Sequence, residues 1–190
     1  MKRLIPKFGE ARLQSRGDPF TTLARSITGQ QISVKAAQSV WERLVEVVGP
    51  SAGGLRPEAL GVCSVERLRS AGLSQRKAEY LLDLARHFEA GLVHVKSWDE
   101  MDDEAIIAEL VAIRGIGRWT AEMFLIFHLM RPDVLPLDDL GLIKGISLNY
   151  FSGEPVSRAE AREVADAWAP FRSVATWYIW RSLDPLPVDY

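Results

Sequence analysis

Cysteine is nearly absent from this chain. Of 190 residues only Cys63 carries a thiol, which excludes internal disulfides and any iron–sulfur cluster held by four cysteines. Histidine is scarce as well. His87, His94 and His128 have no metal-ligand spacing to one another or to Cys63, and they read as structural or surface residues. No apolar run has the length needed to span a membrane. Met1-Lys2-Arg3 is basic, but no sustained apolar stretch follows, so no secretory signal is expected. Charge of one sign is also lacking: 23 Lys and Arg stand against 25 Asp and Glu, for a net charge of −2. That balance argues against a partner held by bulk positive charge. It leaves open binding through backbone amides and a few local cations. Strand-like alternation is rare throughout.

What remains is a chain of short helical patterns. An apolar fraction of 47% and a charged fraction of 25% are ordinary for a globular protein. The length suits one well-cored domain or two small lobes. Asp18-Pro19 is a helix start, with Asp as cap and Pro at the first helical position; that helix is predicted to reach Thr28 and stop at Gly29. Ser33 caps Val34 to Val48, where Ala37, Val40, Trp41, Leu44 and Val48 recur at helical spacing, and Gly49-Pro50 ends it. Ser51 to Leu55 reads as a linker. Pro57 to Leu60 and Val65 to Ser70 are short helices, and Ser74 caps one from Gln75 to Glu89. Trp98 to Asp102 reads as an acidic connector. Later helices are predicted at Leu140 to Asn149, Arg158 to Trp168 behind Ser157, and Phe171 to Ser182. Asp184 to Tyr190 reads as a loose tail. The fold class is therefore all-α, and many short helices suit a two-lobed bundle with a cleft between the lobes.

The segment from Leu110 to Lys144 organises the rest. It reads as a helix begun by Asp102 or Asp103, a tight hairpin at Ile113-Arg114-Gly115-Ile116-Gly117, and a second helix from Arg118 to Met130. Without side chains at Gly115 and Gly117, their backbone N–H groups can approach another molecule closely. They lie at a positive helix end, so the hairpin is suited to a phosphate, although a tight turn between packed helices explains the same pattern. Farther along come Asp138 and Asp139. Adjacent side chains diverge, so one can cap the following helix while the other faces the cleft.

The string Ile-x-Gly-Ile-Gly-Arg-Trp-Thr-Ala, an apolar helix, then Leu-Pro-Leu-Asp-Asp resembles the helix-hairpin-helix/GPD superfamily of DNA glycosylases. The Trp after Gly-x-Gly-Arg is similar to the branch that removes alkylated bases, the DNA-3-methyladenine glycosylases. DPFTTLARSITGQQISVKAA and PFRSVATWYIWRSLD extend the resemblance over nearly the whole chain, as one helix-hairpin-helix domain, residues 1–190, with lobes discontinuous in sequence. Some relatives carry an added N-terminal β domain; none is expected here, where the first core helix follows so soon.

The resemblance implies a monofunctional DNA glycosylase that flips an alkylated purine out of damaged double-stranded DNA and leaves an abasic site. It selects Asp139 as the catalytic carboxylate. An anion there stabilises positive charge developing on the sugar. It makes Trp119 and Trp180 walls of the base pocket, since an indole face suits a cationic base; without it, Trp119 reads equally well as core. Met123 stands where some relatives place an aromatic. Gln30, Gln31, Gly115, Gly117, Arg118 and Thr120 become DNA-binding residues, with Gln31 in the position that can probe the gap left by the flipped base. Gln75, Arg76 and Lys77, at another helix start, can meet phosphates or form a solvated face. No cofactor is implied beyond a monovalent cation on the backbone carbonyls of Val111, Ile113 and Ile116. Relatives that also cut the strand have a lysine where this chain has Trp119. A monomer without membrane attachment is expected, in the cytoplasm and at the nucleoid of a bacterium. Two alternatives stand: a helix-hairpin-helix module that holds DNA without cutting it, and a glycosylase for oxidised, mismatched or deaminated bases.

Overall fold

The structure, a computed structural model, describes residues 1–11, 13–15, 17–49 and 54–183. The expected tail at 184–190 and most of the expected linker, residues 51–53, lie outside the described residues. Within them, the regular structure is entirely helical. In chain order the helices are α1 (Leu4–Phe8), α2 (Pro19–Gly29), α3 (Val34–Val48), α4 (Pro57–Gly61), α5 (Val65–Arg69), α6 (Gln75–Glu89), a 3-10 helix (Val95–Glu100), α7 (Asp103–Val111), α8 (Arg118–Phe127), α9 (Leu140–Tyr150), α10 (Arg158–Asp166) and α11 (Arg172–Leu183). The all-α expectation holds. The helices group into two compact units, Arg16–Ala121 and Met1–Ser15 with Glu122–Tyr190.

In the unit Arg16–Ala121 the starts are set by short polar caps. Asp18 accepts from the Thr21 N–H at 2.9 Å, Ser74 from Lys77 at 3.3 Å and Asp102 from Ala105 at 2.8 Å. Each satisfies a donor that the first helical turn leaves without a partner. α2 packs on α3 and α6, and α4 and α5 also pack on α6. Leu23, Ile27, Leu44, Leu60, Leu81, Leu84, Leu110 and Ile113 are fully buried. The predicted acidic connector, Trp98 to Asp102, overlaps the end of the 3-10 helix Val95–Glu100. Trp98 is buried there, its indole N–H donating to Glu109 at 3.1 Å, and burying it draws the chain into i→i+3 bonds such as Met101 to Trp98.

In the other unit α11 packs on α9 and α1, and α10 on α9. Gly145 sets the approach of α9 and α11, because a Cβ there would lie 2.3 Å from the Ile179 side chain. α1 was not anticipated; Leu4 is buried, and the Tyr178 hydroxyl donates to the Gly9 carbonyl just after it. α8 is shorter than predicted, stopping at Phe127 rather than Met130. Met130 adopts φ 59° and the Arg131 N–H returns to the Leu125 carbonyl at 2.9 Å. Pro132 follows; it cannot donate and disfavours helix in the residue before it.

Candidate functional site

Each unit carries part of the set that the sequence singles out. In the unit Arg16–Ala121 it is the hairpin between α7 and α8. The turn is closed by the Ile116 N–H on the Ile113 carbonyl at 3.1 Å and rooted by both isoleucines, which are buried. Its two glycines do different work. Gly115 has φ 88°, and a Cβ there would fall 2.2 Å from the Tyr80 ring; at Gly117 a Cβ would meet nothing within 4 Å. Gly115 therefore lets the turn close onto α6, whereas Gly117 leaves an open approach to the start of α8. Gly115→Ala is expected to lower the melting temperature. The left-handed backbone costs about 1–2 kcal/mol and crowding Tyr80 about 1–3 kcal/mol. Gly117→Ala is expected to melt within a few degrees of wild type. Thermal unfolding followed by circular dichroism separates the two.

Side chains from α6 and from the residue that ends α2 hold this hairpin. The Gln30 amide donates to the Gly115 carbonyl at 2.8 Å, and the Arg114 N–H donates to Asp83 at 2.9 Å. Asp83 is buried. Burial works to raise its carboxyl, but the Arg114 N–H, the Arg86 guanidinium and His87 outweigh it and hold it below the usual carboxylate range. Arg114 also pairs with Glu79 at 3.2 Å.

The predicted DNA-binding residues separate by exposure. Gln31 is exposed, in the left-handed region at φ 57°. Arg118 is exposed and pairs with Glu104, a surface pair worth about 0–1 kcal/mol that a phosphate can displace. Thr120 departs from expectation. It is 7% exposed, facing inward on the first turn of α8, so its side chain is not presented to a duplex. Trp119 is 42% exposed, which removes the reading of it as core. Lys77 is a second correction, because its ammonium turns inward to the carbonyls of Thr28 and Gln30 at 2.8 and 2.7 Å. Arg76 and Gln75 stay on the surface, bonded to Tyr80 and Glu79.

In the other unit the site centres on Asp139. Of the two aspartates, either of which could cap, it is Asp139 that caps α9. Its Oδ1 accepts from the Leu142 N–H at 2.6 Å and from the Trp180 indole at 2.8 Å. Asp138 instead reaches Arg158 at 2.9 Å in an exposed pair. The cap is formed by Asp139 because its backbone is extended, at φ −76° and ψ 114°, immediately before Leu140. Two donors on one oxygen fix the carboxylate plane. Gly141 leaves room for this, because a Cβ there would lie 3.1 Å from Oδ1 and 3.3 Å from the Trp180 ring. Trp180 is further held by Phe127, stacked at 5.8 Å. Met123 is half-buried on α8.

The start of α11 anchors the loop that delivers Asp139. Arg172 makes a two-pronged pair with Asp133 at 2.8 and 2.7 Å, and the Val134 N–H donates to Ser173 at 2.9 Å. This pairing holds the Asp133 carboxyl below its usual range. α11 thus supports Asp139 twice, through the loop at its first turn and through Trp180 near its last. The histidines serve structure: His87 lies against Asp83, His94 bonds Glu109 and His128 stacks on Phe124. Among the described residues no cluster of His, Cys, Asp or Glu could hold a metal ion, and no helix is long and apolar enough to cross a membrane. Phe127, Gly141, Asp83 and Tyr80 escaped the sequence reading. Only Gly141, a glycine in a helical first turn two residues past a carboxylate, carried a local signal.

Residues 24–170 match the profile of the HhH-GPD superfamily of base excision DNA repair proteins. The chain is 32% identical over 181 residues to DNA-3-methyladenine glycosylase 1 of Schizosaccharomyces pombe, covering 95% of this chain and 79% of that protein. Among solved structures it is similar to a DNA-3-methyladenine glycosidase from Bacillus halodurans, with TM-score 0.90 and 38% identity over 96% of this chain and 83% of that one. It is also similar to the Schizosaccharomyces pombe 3-methyladenine DNA glycosylase in complex with abasic DNA, with TM-score 0.81 and 31% identity over 98% and 93%.

Proposed function

This chain belongs to the HhH-GPD superfamily of base excision DNA repair proteins, and from that premise we propose that it hydrolyses the N-glycosidic bond of alkylated purines of the 3-methyladenine type. The product is an abasic site in DNA. The observation that carries the reading is Asp139, a carboxylate fixed at a helix start by two donors, in a chain similar along most of its length to 3-methyladenine glycosylases.

The chemistry follows from the charges. A base inside the duplex is out of reach and must be extruded. As its bond to C1′ lengthens, positive charge collects on the sugar, and the Asp139 carboxylate stabilises it. Water adds to C1′, its proton passes to the carboxylate or solvent, and the electron pair of the broken bond neutralises the departing base. An alkylated purine is already cationic, so no acid need protonate it. Trp119, Met123 and Trp180 are assigned to the base pocket, where indole faces favour a cation.

Gln31 and Gly117 are assigned to the DNA surface, with Arg118 on a phosphate. Gly117→Leu is expected to weaken binding of damaged and undamaged duplex by the same factor, because it blocks a phosphate rather than a base. Fluorescence-anisotropy titrations with both duplexes check this; a change confined to the damaged duplex contradicts it. The carbonyls of Val111, Ile113 and Ile116 are assigned to a monovalent cation. They are neutral oxygens, and the Ile113 carbonyl, which accepts from Ile116, has a second lone pair to give. The protein is assigned to the cytoplasm, at the nucleoid if bacterial, and acts as a monomer, the last supported by one chain carrying both the hairpin and the carboxylate.

The deciding experiment incubates the protein with randomly methylated DNA and identifies released bases by mass. Release of 3-methyladenine above a protein-free control is expected. Release of none, or only of oxidised or deaminated bases from DNA carrying those, overturns the reading. The non-catalytic alternative is disfavoured by Asp139 and Trp180, whose pairing a DNA-holding module does not need.

A further inference from the structure

We propose that Lys77 and Gln30 are positioning residues of a single brace, which fixes the backbone carrying Gln31 and ties it to the hairpin. The proposal rests on the glycosylase reading above, in which Gln31 fills the gap left by the extruded base. Lys77 lies on α6, yet its ammonium donates to the carbonyls of Thr28 and Gln30 at 2.8 and 2.7 Å. These carbonyls sit at the C-terminal end of α2, where helical carbonyls lack partners and carry partial negative charge. A cation there closes the helix end and holds the next residue in place. Burial lowers the Lys77 pKa, consistent with an ammonium withdrawn from solvent.

Gln30 is held at both ends. Its carbonyl accepts from Lys77, and its side-chain amide donates to the Gly115 carbonyl at 2.8 Å. The acceptor is a carbonyl, so the amide must present its NH2 group. Next in the chain is Gln31 at φ 57°, a conformation that a residue with a Cβ keeps only where its surroundings impose it. Past it, Ser33 caps α3, while Ile32, Ser33 and Val34 are exposed; on the other side Gln30 is bonded through both its carbonyl and its side chain. A side chain that keeps a base out of the stack works against restacking, and it needs a stiff base. The brace supplies one by joining this loop to α6 and to the turn assigned to phosphate. Lys77 thereby contributes to lesion handling without touching DNA.

The test compares wild type, Lys77→Met and Gln30→Leu in three measurements. These are affinity for undamaged duplex against salt concentration, fluorescence of 2-aminopurine placed opposite an abasic site, and single-turnover release of 3-methyladenine. Lys77→Met keeps the length of the side chain and removes its donors. The expected result is an unchanged salt slope and a diminished 2-aminopurine response at saturating protein. Base release should fall about ten- to a hundredfold, the scale of a misplaced group that does not react, with both variants behaving alike. Gln30 is half-exposed, so its variant tests the brace even where loss of Lys77 unfolds the unit. A salt slope lowered by about one in Lys77→Met places Lys77 on a phosphate and overturns the proposal. Unchanged fluorescence and release overturn it as well. Should wild type release no alkylated base, the glycosylase reading fails by itself, while the salt slope and the abasic-site fluorescence still decide the brace.

Discussion

Asp139→Asn is expected to leave the fold and the affinity for lesion duplex intact and to slow base release about a hundred- to a thousandfold or more, the range found when one preorganised transition-state stabiliser is removed. The geometry makes the substitution clean. Asn ranks with Asp as a helix cap, and its amide oxygen can still accept from the Leu142 N–H and the Trp180 indole, which meet on one carboxylate oxygen. What disappears is the negative charge. Asp138→Asn is the matched control. Its partner is Arg158 in an exposed pair, worth about 0–1 kcal/mol, so release within a few-fold of wild type is expected. Single-turnover assays on duplex with one alkylated purine give both numbers. Asp139→Asn protein that retains release within a few-fold of wild type overturns the assignment.

No strand cleavage is expected before alkali is added, and no covalent protein–DNA adduct on borohydride treatment. The resemblance read from the sequence implies that superfamily members which cut the strand carry a lysine directly after Gly-x-Gly-Arg, whose amine attacks the sugar and forms a Schiff base. Here Trp119 holds that position, and indole is not a usable nucleophile. The neighbouring Arg118 stays protonated. Two lysines are also disposed otherwise: Lys77 points into the protein against two carbonyls, and Lys144 is exposed on α9, past the aspartates. Denaturing gels with and without alkali distinguish an intact strand bearing an abasic site from a cut one. A borohydride-trapped complex that persists in Lys144→Ala overturns the monofunctional assignment.

The sequence by itself determined most of the α-helices and their starts, though not α1. Asp18, Ser33, Ser74, Asp102 and Ser157 cap where their types and neighbours predict, because capping and backbone sterics act within one turn and need no tertiary partner. The hairpin's place in the chain was legible for the same reason, as was the aspartate pair. The tertiary structure alone decided what those residues hold. Asp139 rather than Asp138 caps α9 and takes the Trp180 indole from 41 residues away. Gln30 reaches Gly115 across 85 residues, and Lys77 reaches Gln30 across 47. Tyr80 makes Gly115 obligatory while Gly117 stays open. Such bonds depend on where packing brings two helices side by side. That is set by buried faces summed over a whole unit, so a lysine bound for a phosphate and one bound for a buried carbonyl look alike in the chain.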